Sequence, residues 1–274
     1  MCGEVMIKIN DSEFNELTCF LRNNYGINLK QKRNLIEGRM SNIILEKGFL
    51  SFREYLDFVY SDITKNELTI LINKLTTNHT FFMREVEHFY YFKNTVLPYL
   101  YSNINSKDLR IWSAGCSSGE EPYTLAMLIQ DYFGNQKYLW DTKILATDIS
   151  VNVLKKANEG IYSYEALEKT PQIWKLNFFD KIEDEYYKIS DIIKGEVIFR
   201  VFNLMDEFPF KKKFHVIFCR NVMIYFYKET KEKLIKKFYD MTEWGGYLFI
   251  GISESLNRAD IPYKYVMPSV YRKG

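Results

Sequence analysis

The sequence is poor in the residues that build metal centres and covalent scaffolds. Its 274 residues hold four cysteines and three histidines. Cys2, Cys19, Cys116 and Cys219 form no CxxC pair, which excludes a zinc ribbon and a disulfide framework and fits a reducing, cytoplasmic compartment. His79, His88 and His215 stand in no metal-ligand spacing, so no catalytic metal is expected. No apolar run approaches the roughly 18 to 20 residues of a membrane span. The opening MCGEVMIKINDSEF has neither the basic nor the continuous apolar region of a secretory signal, and none is expected. Neither charge dominates: 37 Lys and Arg against 35 Asp and Glu leave a net charge of +2, unlike the basic surplus of a nucleic-acid binder. Internal repeats and low-complexity segments are also missing.

Apolar and aromatic residues are plentiful. They make up 47% and 17% of the chain, with 21 Tyr and 21 Phe, and imply a core built on large rings. The length suits one large domain or a small one joined to a medium one. Residues 1–75 read as a helical domain. Asp11 or Ser12 is the expected N-cap of a helix carrying Phe14, Leu17 and Leu21 and stopped by Gly26. A second carries Leu35, Met40, Ile43 and Ile44 and ends at Gly48. A third starts from Ser51 with Phe52, Tyr55, Leu56 and Val59, and a fourth starts near Thr64 with Leu68, Leu71, Ile72 and Leu75.

Residues 76–274 change period. Short apolar runs at 109–114, 143–148, 196–202, 214–219 and 246–252 alternate with helical patterns at 120–133, 150–158 and 229–242. That alternation predicts an α/β domain, a doubly wound parallel sheet covered on both faces. Residues 160–200 are too long for a simple connection. KLNFF and DEYYKIS there suggest a hairpin attached to the main sheet, a small antiparallel β insertion, with a helix plus loop as the alternative.

Chemistry concentrates in IWSAGCSSGEEPYTLAM, residues 111–127. A strand ends at Ala114, a small-residue loop runs from Gly115 to Gly119, and a helix begins near Glu120. In a doubly wound sheet, ligands bind at this carboxyl end. The loop lacks GxxxxGK[ST] and GxGxxG, so neither a nucleotide phosphate nor a dinucleotide pyrophosphate is well served. Glu120 and Glu121 at the helix start repel an anion and favour an amino group or a sulfonium. Asp148 ends the second strand, where an acid accepts hydrogen bonds from ribose hydroxyls, although it could also cap the next helix. A cationic nucleoside fits both features, and S-adenosylmethionine has those properties.

Six segments occur in order: TTNHTFFMRE (76–85), WSAGCSSGEEPYTLAM (112–127), ATDIS (146–150), FNLMD (202–206), FCRNVMIYF (218–226) and GGYLFIGISESL (245–256). Together with GINLKQKRNLIEGRM and GFLSFREYL nearer the front, they make the chain resemble the chemotaxis receptor methyltransferases, the CheR family. The resemblance implies a Rossmann-like S-adenosylmethionine-dependent methyltransferase domain behind an all-α domain. It implies a cytoplasmic protein-glutamate O-methyltransferase, acting as a monomer, that leaves S-adenosylhomocysteine and forms γ-methyl esters on the cytoplasmic helices of chemoreceptors. Residue by residue, it implies cofactor contacts at Asn78, Thr80, Arg84, Gly115, Glu121, Asp148, Asn203, Leu204, Arg220 and Asn221, with Arg84 and Tyr225 beside the methyl group. His79 and Met83 depart from the residues frequent in the family.

Simpler roles stand beside these. Arg84 can pair with Glu85 on a helix surface, Asn221 can cap a turn, Tyr225 can serve packing alone, and Cys116 and Cys219 read as buried small hydrophobes. The basic stretch Lys30, Lys32, Arg33, Arg39 and Lys47 is the candidate receptor-contacting face, or an ordinary solvated one. Some relatives add a receptor tail peptide to the β insertion as an extra strand. No glycine lies between Ile161 and Lys194 here, so the glycine-bearing turn of peptide binders is not evident. Competing readings are a methyltransferase of the same fold acting on another protein or a small molecule, and a non-catalytic module that senses S-adenosylmethionine.

Overall fold

The computed structural model describes residues 6–64, 66–76, 79–254, 256 and 262–274. They fall into two units: one within Met1–Asn78 joined by Tyr225–Thr230, the other made of His79–Ile224 and Lys231–Gly274.

The first unit is helical. In α1 (Asp11–Tyr25) the N-cap is Asn10, one residue before the expected pair. Its side chain accepts from Glu13 N, and the Glu13 carboxylate accepts from Asn10 N, each at 2.9 Å. This reciprocal box satisfies two end groups at once, which neither Asp11 nor Ser12 does. Gly26 ends the helix at φ 68°, a conformation that favours glycine. α2 (Arg33–Glu46) buries Ile36, Met40 and Ile44, a spacing of four that leaves Leu35 and Ile43 half-buried at its margins. α3 (Phe52–Ser61), capped by Ser51, and α4 (Asn66–Leu75) bury all eight apolar residues expected of them. Residues 225–230 close the unit: Asn28 N donates to Tyr225 O at 2.6 Å, and Arg22 lies 4.6 Å over the Tyr227 ring.

Much of the basic stretch is spent inside this unit. Arg39 Nη1 donates to the carbonyls of Lys74, Leu75 and Thr76 at 3.0 to 3.3 Å, neutralising the carbonyl end of α4. Arg33 donates to Ile9 O and pairs with Asp11, and Lys47 pairs with Glu67 at 2.8 Å. Lys30 and Lys32 remain exposed.

The second unit opens with a helix the strand-and-helix pattern left unassigned. α5 (Val86–Tyr91) runs through a π-helical turn (Phe92–Val96) into α6 (Leu97–Asn103). There follow β1 (Ile111–Ala114), α7 (Glu120–Phe133), β2 (Ile144–Asp148), α8 (Val151–Glu159), β3 (Ile161–Ser163), α9 (Gln172–Phe178), β4 (Phe179–Glu183) and β5 (Tyr186–Ile189). Then come α10 (Asp191–Lys194), β6 (Val197–Val201), β7 (Phe214–Cys219), α11 (Lys228–Met241), β8 (Thr242–Ile250), β9 (Lys264–Met267) and β10 (Val270–Arg272).

The main sheet has the order β6-β2-β1-β7-β8-β10-β9. Its first five strands are parallel, as expected, and β10 and β9 add an antiparallel edge that the sequence pattern did not suggest. β1 is buried along its whole length, and connections leave it toward β2 on one side and β7 on the other. This reversal opens a crevice at the carboxyl ends of β1 and β7. Aromatic rings fill both sheet faces. Trp112 meets Phe208, Phe210, Phe214 and Phe238 on one, and Phe218 stacks on Phe249 at 4.3 Å on the other.

The β insertion is a separate three-stranded sheet of order β3-β5-β4 rather than an extension of the main one. The hairpin pairs β4 with β5 around Asp184 and Glu185. KLNFF mostly belongs to α9 and contributes only Phe179 to β4. Phe82 and Tyr162 meet edge-on at 4.8 Å, and Phe82 N donates to Ala166 O, so the insertion rests on the segment that carries Arg84. Among the described residues no helix is long and apolar enough to cross a membrane.

Candidate active site

The crevice is floored by the turn after β1. Gly115, Ser117 and Gly119 all have left-handed φ, at 83°, 49° and 97°. At Gly115 a Cβ would lie 2.4 Å from Val222 Cγ2, so a side chain is excluded by conformation and by space. Gly115 N and Cys116 N both donate to Thr147 O, at 2.7 and 2.9 Å, tying the loop to β2. The next residue on that strand, Asp148, accepts Ser117 N and Ser150 N at 2.9 Å each. Ser150 is the N-cap of α8, its hydroxyl accepting from Val153 N, so Asp148 is not needed for that role. Burial raises the Asp148 carboxyl above its ordinary range, and N–H groups of Ser150, Ser117 and Ile149 offset this only in part. A carboxylate has about four acceptor directions, which leaves capacity for a hydroxyl.

Beside the loop lies a buried ion cluster. The Arg220 side chain is 3% exposed and bonds two carboxylates. Nη1 donates to Glu121 Oε2 at 3.1 Å, while Nη2 and Nε donate to Glu85 Oε2 at 3.0 and 3.3 Å. Nη2 also donates to the carbonyl of Arg84. Glu121 takes a further bond from Ser113 Oγ at 2.7 Å. Burial alone would raise the Glu85 carboxyl, but Arg220 and Asn221 outweigh it and hold it low. Burial dominates at Glu121 and raises it despite Arg220. Two carboxylates on one guanidinium leave an excess negative charge, which favours a cationic ligand.

Asn221 follows at φ 60°. Its Nδ2 donates to Glu85 Oε1 at 3.1 Å and its backbone N–H to Glu254 Oε2 at 3.0 Å. Glu254, 4% exposed, also accepts Ile224 N and Gly251 N. Arg84 is half-buried, bonds His79 O, and is flanked by two more left-handed residues, Met83 and Glu85. Strain of this kind costs about 1–3 kcal/mol per residue and persists where surrounding contacts over-determine it. Four of the described chain's six non-glycine left-handed residues lie here: Met83, Glu85, Ser117 and Asn221.

The structure thus brings Glu121, Arg220 and Asn221 together around Glu85, and sets Asp148 on the glycine loop. Thr80 is half-buried two residues before the Phe82 anchor. Asn203 and the buried Leu204 follow β6, with Asn203 Oδ1 accepting Met205 N at 3.0 Å. Asn78 lies outside the described residues, and Tyr225 belongs to the first unit. Glu85 meets Arg220, not its neighbour Arg84. Sequence reasoning missed Glu85 and Glu254 as site residues; the visible signal for Glu254 was an acid just after an apolar strand. His88, buried 3.5 Å from Glu85, is pushed down to about 4 by burial and Arg220, and is neutral at neutral pH. Burial pushes the Cys116 and Cys219 thiols up, which leaves them inert.

A sulfonium nucleoside fits these residues: a glycine turn without lysine, a half-buried acid with acceptor capacity at the end of β2, and an acid-rich cluster at the end of β7. The family model "CheR methyltransferase, SAM binding domain" matches residues 78–271, and "CheR methyltransferase, all-alpha domain" matches residues 12–76. The chain belongs to the CheR methyltransferase family. It is 43% identical to a chemotaxis protein methyltransferase of Borreliella burgdorferi, over 98% of this chain and 96% of that one. It is 38% identical to a probable chemotaxis protein methyltransferase of Rhizobium etli, over 82% and 85% of the two chains. It is 32% identical to the chemotaxis protein methyltransferase Cher2 of Pseudomonas putida, over 94% and 95%. The second unit is thus the S-adenosylmethionine-dependent methyltransferase domain, and the chain uses that cofactor. Among the described residues no group of three His, Cys, Asp or Glu could hold a metal ion.

Proposed function

We propose that this protein is a cytoplasmic, monomeric enzyme that methylates glutamate side chains on the cytoplasmic helices of methyl-accepting chemotaxis receptors, giving γ-glutamyl methyl esters for sensory adaptation. The observation that carries this reading is Arg84, half-buried and fixed between two strained residues, its carbonyl bonded by Arg220. When bound, S-adenosylmethionine supplies a methyl group on a positively charged sulfur, a good leaving group. Asp148 is assigned to its ribose, Glu121, Arg220 and Asn221 to its methionine portion, and Asn203 and Leu204 to its adenine. A glutamate carboxylate has an ordinary pKa of about 4.3 and arrives ionised, so no residue has to remove a proton. His88 and the buried thiols then have no chemical part to play. Arg84 holds the incoming carboxylate for in-line attack, and Tyr225 is the candidate for positioning at the methyl. The charge on the carboxylate disappears as the ester forms, which favours a single, partly exposed guanidinium over a tight double clamp.

The test uses the purified chain, methyl-labelled cofactor and membranes carrying the cognate receptor. Base-labile label on receptor, released as methanol, is the expected result. Label on another protein or on a small molecule points to the same-fold alternative, and no transfer with intact cofactor binding points to a sensing module.

Lys30 and Lys32 are the basic residues proposed to meet the acidic receptor helices. Their joint reversal, Lys30→Glu with Lys32→Glu, is expected to lower receptor methylation about fivefold with S-adenosylhomocysteine affinity unchanged by calorimetry. Unchanged methylation would remove receptor contact from this face. Arg33, Arg39 and Lys47 are unsuitable for this test because each also holds the helical unit together. The hairpin turn at Asp184 and Glu185 lacks glycine, and a tail peptide forms no part of the proposal.

A further inference from the structure

Two carboxylates are given no part in the chemistry above, the half-buried Glu85 of the ion cluster and the buried Glu254 beside it, yet both converge on Asn221. Glu254 accepts N–H groups from two strand ends: Asn221 and Ile224 after β7, at 3.0 Å each, and Gly251 after β8, at 2.6 Å. Glu85 accepts the Asn221 amide at 3.1 Å, Ile252 N at 3.2 Å, and two bonds from Arg220. Gly251 closes the remaining side, where a Cβ would lie 2.5 Å from Asn221 Nδ2 and 2.8 Å from its backbone N. Asn221 is therefore held at both its backbone and its side chain, in a left-handed conformation that an unrestrained chain seldom adopts.

The contact with Glu85 also decides which way the amide faces. An ionised carboxylate only accepts, so Nδ2 must point at Glu85 and Oδ1 must point away from it. Asn221 consequently presents Oδ1, an acceptor matched to a cationic group, on the side away from Glu85. Without Glu85 the amide can turn over and offer N–H groups instead. Without Glu254 the left-handed turn loses the acceptor that collects its N–H groups, and a more extended backbone would carry the side chain elsewhere.

We infer that Glu85 and Glu254 are positioning residues that act through Asn221, fixing its carbonyl oxygen toward the cationic methionine end of S-adenosylmethionine. This rests on the assignment of Asn221 to the cofactor made above. Because the contact lies on a part of the cofactor that does not react, loss of either carboxylate acts first on affinity.

The test is calorimetry of S-adenosylmethionine and S-adenosylhomocysteine on the full chain, with thermal melts alongside and no methyl acceptor present. Glu254→Gln and Glu85→Gln, each folded, are expected to raise Kd at least fivefold. In an Asn221→Ala background the added effect of Glu254→Gln falls below twofold, and that of Glu85→Gln falls to less than half its fold-change, the remainder passing through Arg220. In turnover the cofactor KM rises by a larger factor than kcat falls. Unchanged Kd in folded variants, full multiplicative effects without Asn221, or a loss of kcat at constant KM each overturns the inference. Should Glu254→Gln fail to fold, Glu85→Gln and its Asn221→Ala double variant decide alone. A wild-type chain that binds neither compound overturns the cofactor assignment beneath it, an outcome distinct from variants that bind as well as wild type.

Discussion

Asp148→Asn is expected to weaken S-adenosylmethionine binding about a hundredfold, equivalent to about 2.7 kcal/mol. A ribose hydroxyl donating to an ionised carboxylate makes a hydrogen bond worth roughly 1.5–3 kcal/mol, more than the neutral amide can return. The substitution also places an NH2 group beside either Ser117 N or Ser150 N, which then lacks its acceptor, so the turn after β1 or the start of α8 loosens as well. The same residue predicts a pH dependence. Burial raises the Asp148 carboxyl, so on acidification it takes up a proton earlier than an ordinary aspartate and loses acceptor strength. Glu121, raised for the same reason, moves in the same direction. Wild-type affinity should therefore fall from neutral pH toward the carboxylate range, with a shallower fall in Asp148→Asn. Calorimetry at several pH values checks both statements. Equal affinities of wild type and variant at neutral pH would remove Asp148 from the cofactor site.

Arg84→Ala should lower turnover at least tenfold, about 1.4 kcal/mol in the activation barrier. The side chain is half-buried, and its backbone is held independently by Arg220 and the strained neighbours, so the variant is expected to fold with Glu85 and Arg220 in place. On the proposed role, what it removes is a positive charge that counters the incoming carboxylate and steers its attack. The loss should appear chiefly with receptor as substrate and should be smaller in S-adenosylhomocysteine affinity. Initial rates at saturating cofactor, with a melt to confirm folding, measure it. Wild-type turnover in a folded Arg84→Ala protein would exclude the assigned role.

Much of this was legible in linear sequence, for a physical reason. Helical faces such as Phe52, Tyr55, Leu56 and Val59 and strands such as Phe214–Cys219 are written in apolar periodicity, and the burial that stabilises them follows that pattern. The glycine turn and Asp148 were equally readable, because a tight turn and the end of a strand carry their own local signatures. Apolar pattern is weaker where elements are short. β9 and β10 have four and three residues at a sheet edge, and the KLNFF segment proved to be the end of a helix.

Charges carry no comparable pattern. Arg220 meets Glu121 and Glu85 across separations of 99 and 135 residues, and Glu254 reaches Asn221 across 33. Arg39, which reads as a surface charge, is spent on carbonyls 35 to 37 residues away. By itself the sequence determined most of the elements, the order of those it showed and a cofactor class of cationic nucleosides, since these depend on neighbours along the chain. Only the tertiary structure decided which carboxylate holds which donor and which way Asn221 faces. A hydrogen bond depends on separations of about 3 Å in space, and the order of strands in a sheet, not distance along the chain, sets those separations.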